Sequence, residues 1–303
     1  MVLLVVALPA SAPAYEFATD TGDASGNPLR WPPNEEVRFT QHIQGEGNIP
    51  VWRLQAEIRK VFQTWSELPE ANLRFVEDPV FVGTPCPHAL PAEADPQEVC
   101  GGATPDYDFQ SALFFIQTVW PFGEEVIALT TLSWQEGGTL VDADISFNAI
   151  DYDWTVDSDE VVVDYRSIAL HEVGHFVGLA HSNDPTAVMW IDYDEGDLGR
   201  ELAPDDRAGI AESYPCNNPP CGGEVAYPDP TCSVAGPWSG RGLLLFLTGL
   251  GLLGLLYRTR RYRSGLLLLG VGLLVLWPSS PHSSTVLALD IDELTLRADR
   301  VVR

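Results

Sequence analysis

Between residues 51 and 68, apolar side chains recur at Val51, Leu54, Ile58, Val61, Phe62, Trp65 and Leu68. That spacing gathers them into one stripe, so it predicts a helix over 51–68 with one face turned to a core. Pro50 suits its first turn, and Pro69 stops it, because proline lacks an N–H and clashes with a continuing helix. Shorter runs rich in β-branched and aromatic residues predict strands at Val37–Thr40, Leu73–Val76, Ala112–Val119 and Val126–Trp134. The Pro-, Gly- and acid-rich stretch 78–109 reads as surface loop. Asp164 is a candidate N-cap for a following helix, since its short carboxylate can accept from a first-turn N–H.

Beyond residue 215 the pattern changes. Residues 216–240 are rich in Cys, Pro and Gly and read as a linker. Gly242–Tyr257 and Gly265–Trp277 are apolar on every side, with Arg258, Arg260, Arg261 and Arg263 between them. Each run is shorter than the roughly 20 residues of a comfortable membrane span. Region 241–277 is therefore expected to be a membrane anchor or a sorting tag like those of some bacterial surface proteins, or a hairpin with its arginines on the cytoplasmic side. Tail 278–303 has no assigned role. At the other end, Val2–Leu8 is apolar and Ala12-Pro13-Ala14 follows, which predicts a secretory signal peptide over 1–14, cut before Tyr15. The alternative there is a buried strand.

Charge sharpens this picture. Net charge is −26 over 303 residues, but residues 1–240 carry 9 Lys+Arg against 39 Asp+Glu, while 241–303 carry 8 against 4. So acidic a main region would repel nucleic-acid phosphates, which excludes that class of partner. The five cysteines, Cys86, Cys100, Cys216, Cys221 and Cys232, show no C-x-x-C spacing. In an exported protein they read as disulfides. Cys86–Cys100 would close the surface loop and Cys216–Cys221 is a possible second pair, leaving Cys232 over.

The chemistry lies in His171-Glu172-Val173-Gly174-His175-Phe176-Val177-Gly178-Leu179-Ala180-His181. His171 and His175 are four residues apart and share one helix face. Gly178 can take the left-handed conformation that ends a helix, after which His181 can return as a third ligand. Three neutral imidazoles leave a fourth zinc position open for water, the catalytic arrangement. Glu172 stands beside them as a candidate general base. With 6 His in the chain, a chance match to this pattern is on the order of one in a hundred thousand.

This H-E-x-x-H-x-x-G-x-x-H motif resembles that of the metzincin metalloproteases. Ala187-Val188-Met189-Trp190 is similar to their methionine turn, and Met189 is the only methionine besides the first residue. Ser182 after the third histidine, Leu202–Ile210 running on to Tyr214, and Val141–Asn148 resemble the matrixin (peptidase family M10) branch. Together the likeness covers roughly residues 30–215, within a catalytic domain read as 15–215. It implies an α+β, zincin-like fold: a twisted mixed sheet packed on helices, an active-site helix, and a small C-terminal subdomain with methionine turn and closing helix. It further implies that Ile127–Trp134 lines the cleft as a sheet edge to which peptides add as a strand; the alternative is an ordinary inner strand. Residues 190–203 would shape the pocket for the substrate residue after the scissile bond, where Tyr193 sits at a spacing from Met189 that departs from the family's oxyanion tyrosine. Two family features have no counterpart here, the prodomain with its zinc-capping cysteine and the histidines of a second zinc. The remaining His42, His88 and His282 read as surface or loop residues.

The expectation is thus an exported, membrane-tethered zinc endopeptidase with protein or peptide substrates. One Zn²⁺ would be held by His171, His175 and His181, with Glu172 catalytic and Met189 beneath. The acidic runs 151–160 and 192–197 could hold Ca²⁺ or be solvated loops. The rival reading is a zinc-containing cell-surface binding or adhesion protein without turnover, and a third is a protease acting chiefly on its own envelope partners.

Overall fold

The computed structural model describes residues 13–87, 89–102, 108–157, 162–194 and 196–228, together with the backbone of 295–298. Residues 1–12 of the segment read as a signal peptide, His88, Cys232, His282, the apolar region 241–277 and most of the tail lie outside these residues. Among the described residues, no helix is long and apolar enough to cross a membrane.

The elements follow the apolar pattern closely. Strand β1 is Glu36–Gln41, helix α1 is Val51–Ser66, strand β2 is Arg74–Glu77, and a single turn of helix, α2, is Pro96–Val99. Strands β3 (Ala112–Ile116), β4 (Val126–Gln135) and β5 (Thr139–Asn148) come next. Then follow β6 (Trp154–Thr155), β7 (Val163–Asp164), helix α3 (Tyr165–Phe176), β8 (Asp192–Tyr193), helix α4 (Pro204–Ser213) and, far along the chain, β9 (Thr295–Ala298).

One mixed sheet runs β2-β1-β3-β5-β4-β9-β8, and β6 and β7 pair separately. Strands β2, β1, β3 and β5 are parallel, whereas β4 runs antiparallel to β5. The fold is α+β with a metzincin-like arrangement, as the resemblance implied. Strand β3 is buried at every position, which explains why it reads as a continuous apolar run rather than an alternating one; β5 is buried at nearly all positions although it carries Asp142, Asp144, Ser146 and Asn148.

Helix α1 buries its predicted stripe, Leu54, Ile58, Val61, Phe62 and Trp65. Phe62 stacks on Phe39 of β1 at 3.7 Å between ring centroids and meets Phe75 and Phe176 edge-on, so sheet, α1 and α3 share one aromatic core. Two acids in β5 are buried because they anchor the preceding loop. The Asp142 carboxylate accepts the N–H groups of Asp108 and Phe109 at 2.9 and 2.8 Å, and Asp144 accepts that of Ala112 at 2.9 Å. Both expected disulfides are present, Cys86–Cys100 and Cys216–Cys221. Residues after α4 return to the sheet: the Ala226 N–H donates to the Phe75 carbonyl and the Glu77 N–H to the Ala226 carbonyl.

Candidate metal centre and cleft

Helix α3 is held at both ends. At its start, the Asp164 carboxylate accepts the Ser167 N–H at 2.9 Å and its hydroxyl at 2.5 Å, and pairs with Arg200 at 2.5 Å. The predicted cap therefore also ties the 190s loop to the helix. At its end, Gly178 has φ of +92°, the Leu179 N–H reaches the Gly174 carbonyl and the Gly178 N–H the His175 carbonyl. This is the Schellman pattern, which satisfies carbonyls the helix itself leaves free. Aromatic donors take others, Trp31 to Phe176 at 2.8 Å and Tyr214 to Val177 at 2.9 Å, while Trp65 donates to the mid-helix carbonyl of Leu170.

The three predicted histidines meet. His171 and His175 bring their Nε2 atoms to 3.0 Å, and one nitrogen from each of the three rings lies within 4.8 Å of the others. His171 Nδ1 faces the Val188 carbonyl at 2.7 Å and His175 Nδ1 the Leu179 carbonyl at 2.8 Å. A carbonyl can only accept, so each Nδ1 carries the proton and each Nε2 turns its lone pair inward, as a metal ligand requires. Burial pushes the His171 pKa down to about 4. Burial and the two neighbouring rings hold His175 well below its ordinary value. Neutral rings are the ligating form. This donor set fits one divalent transition metal of the zinc type.

Glu172 is fully buried. Its Oε2 accepts the Thr130 hydroxyl of β4 at 2.5 Å, and its Oε1 has no hydrogen-bond partner among the described residues. Desolvation raises its pKa to about 8, opposed by the Thr130 bond; a divalent cation held by the three rings would lower it again and keep the carboxylate ionised. An unpaired buried carboxylate oxygen costs roughly 1–3 kcal/mol or more in a purely structural role, so its presence points to chemistry.

Met189 is buried and packs against α3 at Gly174. A Cβ at Gly174 would stand 2.1 Å from the Met189 sulfur, so the packing of Met189 leaves no room for a side chain there. The turn is secured by Asp206 at the start of α4, fully buried, whose carboxylate accepts the N–H groups of Val188, Met189 and Ala203. Asp205 accepts the Ser182 hydroxyl at 2.6 Å and the Ala14 N–H at 3.0 Å. The chain over 14–18 then follows 178–183, with the Ala18 N–H on the Gly178 carbonyl and the Ala180 N–H on the Glu16 carbonyl.

A cavity of about 490 Å³ opens beside His171, lined by Ser167, Val188, Trp190, Tyr193 and Leu198 among others. The Tyr193 hydroxyl accepts the Asp164 N–H at 2.9 Å and donates to the Asp197 carbonyl at 3.1 Å. It shapes this pocket and is committed to holding it. The acidic runs form no comparable ligand cluster among the described residues: Asp151 accepts Asn148 and Asp157 pairs with Arg53.

Sequence reasoning missed Thr130, Asp206 and Arg200. Thr130 carried a signal, as a polar residue within the apolar run Val126–Leu132, and a buried hydroxyl requires a partner. The other two act across the fold and leave no local trace.

Residues 124–215 match the family model described as Matrixin. The chain is 40% identical over 73 residues to Metalloendoproteinase 5-MMP of Arabidopsis thaliana, covering 21% of this chain and 20% of that protein. It is 38% identical over 78 residues to human Matrilysin, covering 25% and 28%, and 40% identical over 74 residues to Matrix metalloproteinase-2 of Drosophila melanogaster, covering 23% and 10%. The chain thus spans about a fifth of the length of the first of these relatives.

Proposed function

We propose that this chain is a zinc-dependent endopeptidase that works outside the cytoplasm. The observation that carries the proposal is the convergence of three imidazoles, two buried with Nδ1 pinned to carbonyls and the third half-buried, beside a carboxylate with one unengaged oxygen. His171, His175 and His181 would hold Zn²⁺, which when bound lowers the pKa of a water to about 7 and polarises the scissile carbonyl.

Glu172 takes a proton from the attacking water at Oε1 and passes it to the leaving amine nitrogen. Thr130 holds Oε2, so the carboxylate cannot swing away between the two transfers. The cavity beside His171 receives the side chain after the scissile bond, and Asp192, Asp194 and Asp197 around it favour polar or basic groups there. A binding protein without turnover would have no use for a buried, half-engaged Glu172. Two disulfides support an oxidising compartment. Export by the N-terminal run and attachment through the apolar segments of 241–277 complete the reading.

Quenched-peptide hydrolysis by the full chain tests it. Activity is expected to vanish with a chelator and return with Zn²⁺, and Glu172→Gln is expected to keep zinc while losing on the order of 10³-fold or more in turnover. Near-normal turnover in Glu172→Gln would refute the assigned role.

A further inference from the structure

Strand β9 comes from the tail to which the sequence assigned no role, and it lies between the two walls of the candidate cleft. It pairs antiparallel with β4, Leu296 opposite Ala128 and Thr295 opposite Leu129, and parallel with β8, Arg297 opposite Asp192 and Ala298 opposite Tyr193. The next residue of β4 is Thr130, whose hydroxyl holds Glu172. Asp192 and Tyr193 line the cavity beside His171. The tail strand therefore starts near the catalytic carboxylate and runs along the cavity's flank.

Strand addition draws on main-chain hydrogen bonds, so it accepts almost any sequence, and an exposed edge will take whichever strand is at hand. Without β9, the outer edge of β4 around Ala128 and Leu129 would present free backbone groups, and β8 would lose its one sheet partner among the described residues. Residues 229–294 separate the strand from the end of the main described region, and loop-closure cost grows only logarithmically with such lengths. The strand is covalently attached, so its occupancy is independent of protein concentration.

We propose that the segment around Thr295–Ala298 is an intramolecular occupant of the peptide-binding cleft, a strand that must leave before a substrate strand can enter. This rests on the endopeptidase reading for its consequence, but docking itself can be measured without turnover. The full chain and its Leu296→Pro variant are compared, since proline removes an N–H and resists the strand conformation. Amide exchange over Ala128–Leu129 and Asp192–Tyr193 is expected to quicken about tenfold or more in the variant. A fluorescent peptide of sequence 290–303 is expected to bind the variant at least about tenfold more tightly than the parent, because only the variant has a vacated edge.

Equal exchange in the two proteins overturns docking. Protection lost without any difference in peptide binding overturns the blocking role. Turnover of a quenched peptide should rise in the variant. If both proteins are inactive while exchange and binding behave as expected, the endopeptidase reading fails and the docked strand stands.

Discussion

Replacing Gly178 with alanine tests whether backbone geometry at the end of α3 positions the third histidine. Two separate costs are expected. The residue has φ of +92°, and an L side chain in left-handed backbone costs roughly 1–2 kcal/mol. In addition, the new Cβ would stand 2.0 Å from the Leu29 carbonyl oxygen and 2.9 Å from its carbon. Those are backbone atoms, and the Leu29 N–H is itself bonded to Ala18, so relief requires moving two chain segments, at about 1–3 kcal/mol by analogy with overpacked cores. Gly137 is the internal control. Its φ is +91° but nothing lies within 4 Å of its virtual Cβ, so Gly137→Ala should carry the conformational cost alone. Urea unfolding is expected to show Gly178→Ala destabilised by about 2–5 kcal/mol and Gly137→Ala by about 1–2. Zinc affinity should fall only in the former, as the turn that delivers His181 is displaced. Equal effects at the two positions would refute the reasoning about the Leu29 contact.

Other outcomes follow from the same geometry. Asp206→Ala strands the N–H groups of Val188, Met189 and Ala203 and is expected to cost about 3 kcal/mol or more, read by thermal unfolding, with the methionine turn loosened. Glu77 is fully buried beside Arg59 at 2.6 Å, so Arg59→Ala leaves an uncompensated charge worth about 3–5 kcal/mol, and adding Glu77→Gln should restore much of it. Thr130→Val keeps shape but frees Glu172 Oε2; turnover is expected to drop about tenfold or more with zinc content unchanged, measured by peptide hydrolysis alongside metal analysis.

Much of the site was legible because its geometry is local. The intervals from His171 to His175 and on to His181 are fixed by one helical turn and one glycine-ended reversal, and Asp164 caps a helix a few residues away. The stripe of α1 was plain because one of its faces is polar. Helix α3 is buried nearly all round, so it has no such stripe and only its motif located it. What stayed hidden depends on register and long-range pairing. Nothing near Thr130 says that β4 carries it over Glu172, nothing near Asp206 names the amides it serves, and two-residue strands such as β8 have no period to read. The tail strand was the largest omission: 295–298 is too short and mixed in polarity to stand out, and its partners lie more than a hundred residues away.

Zinc content of the purified chain, set beside that of single alanine variants, tests the central claim most directly. One equivalent of zinc per chain is expected, falling to a small fraction in His171→Ala, His175→Ala and His181→Ala but retained in Glu172→Gln. A chain that purifies without a stoichiometric transition metal and takes up none, or that keeps it when any one of the three rings is removed, would contradict the account.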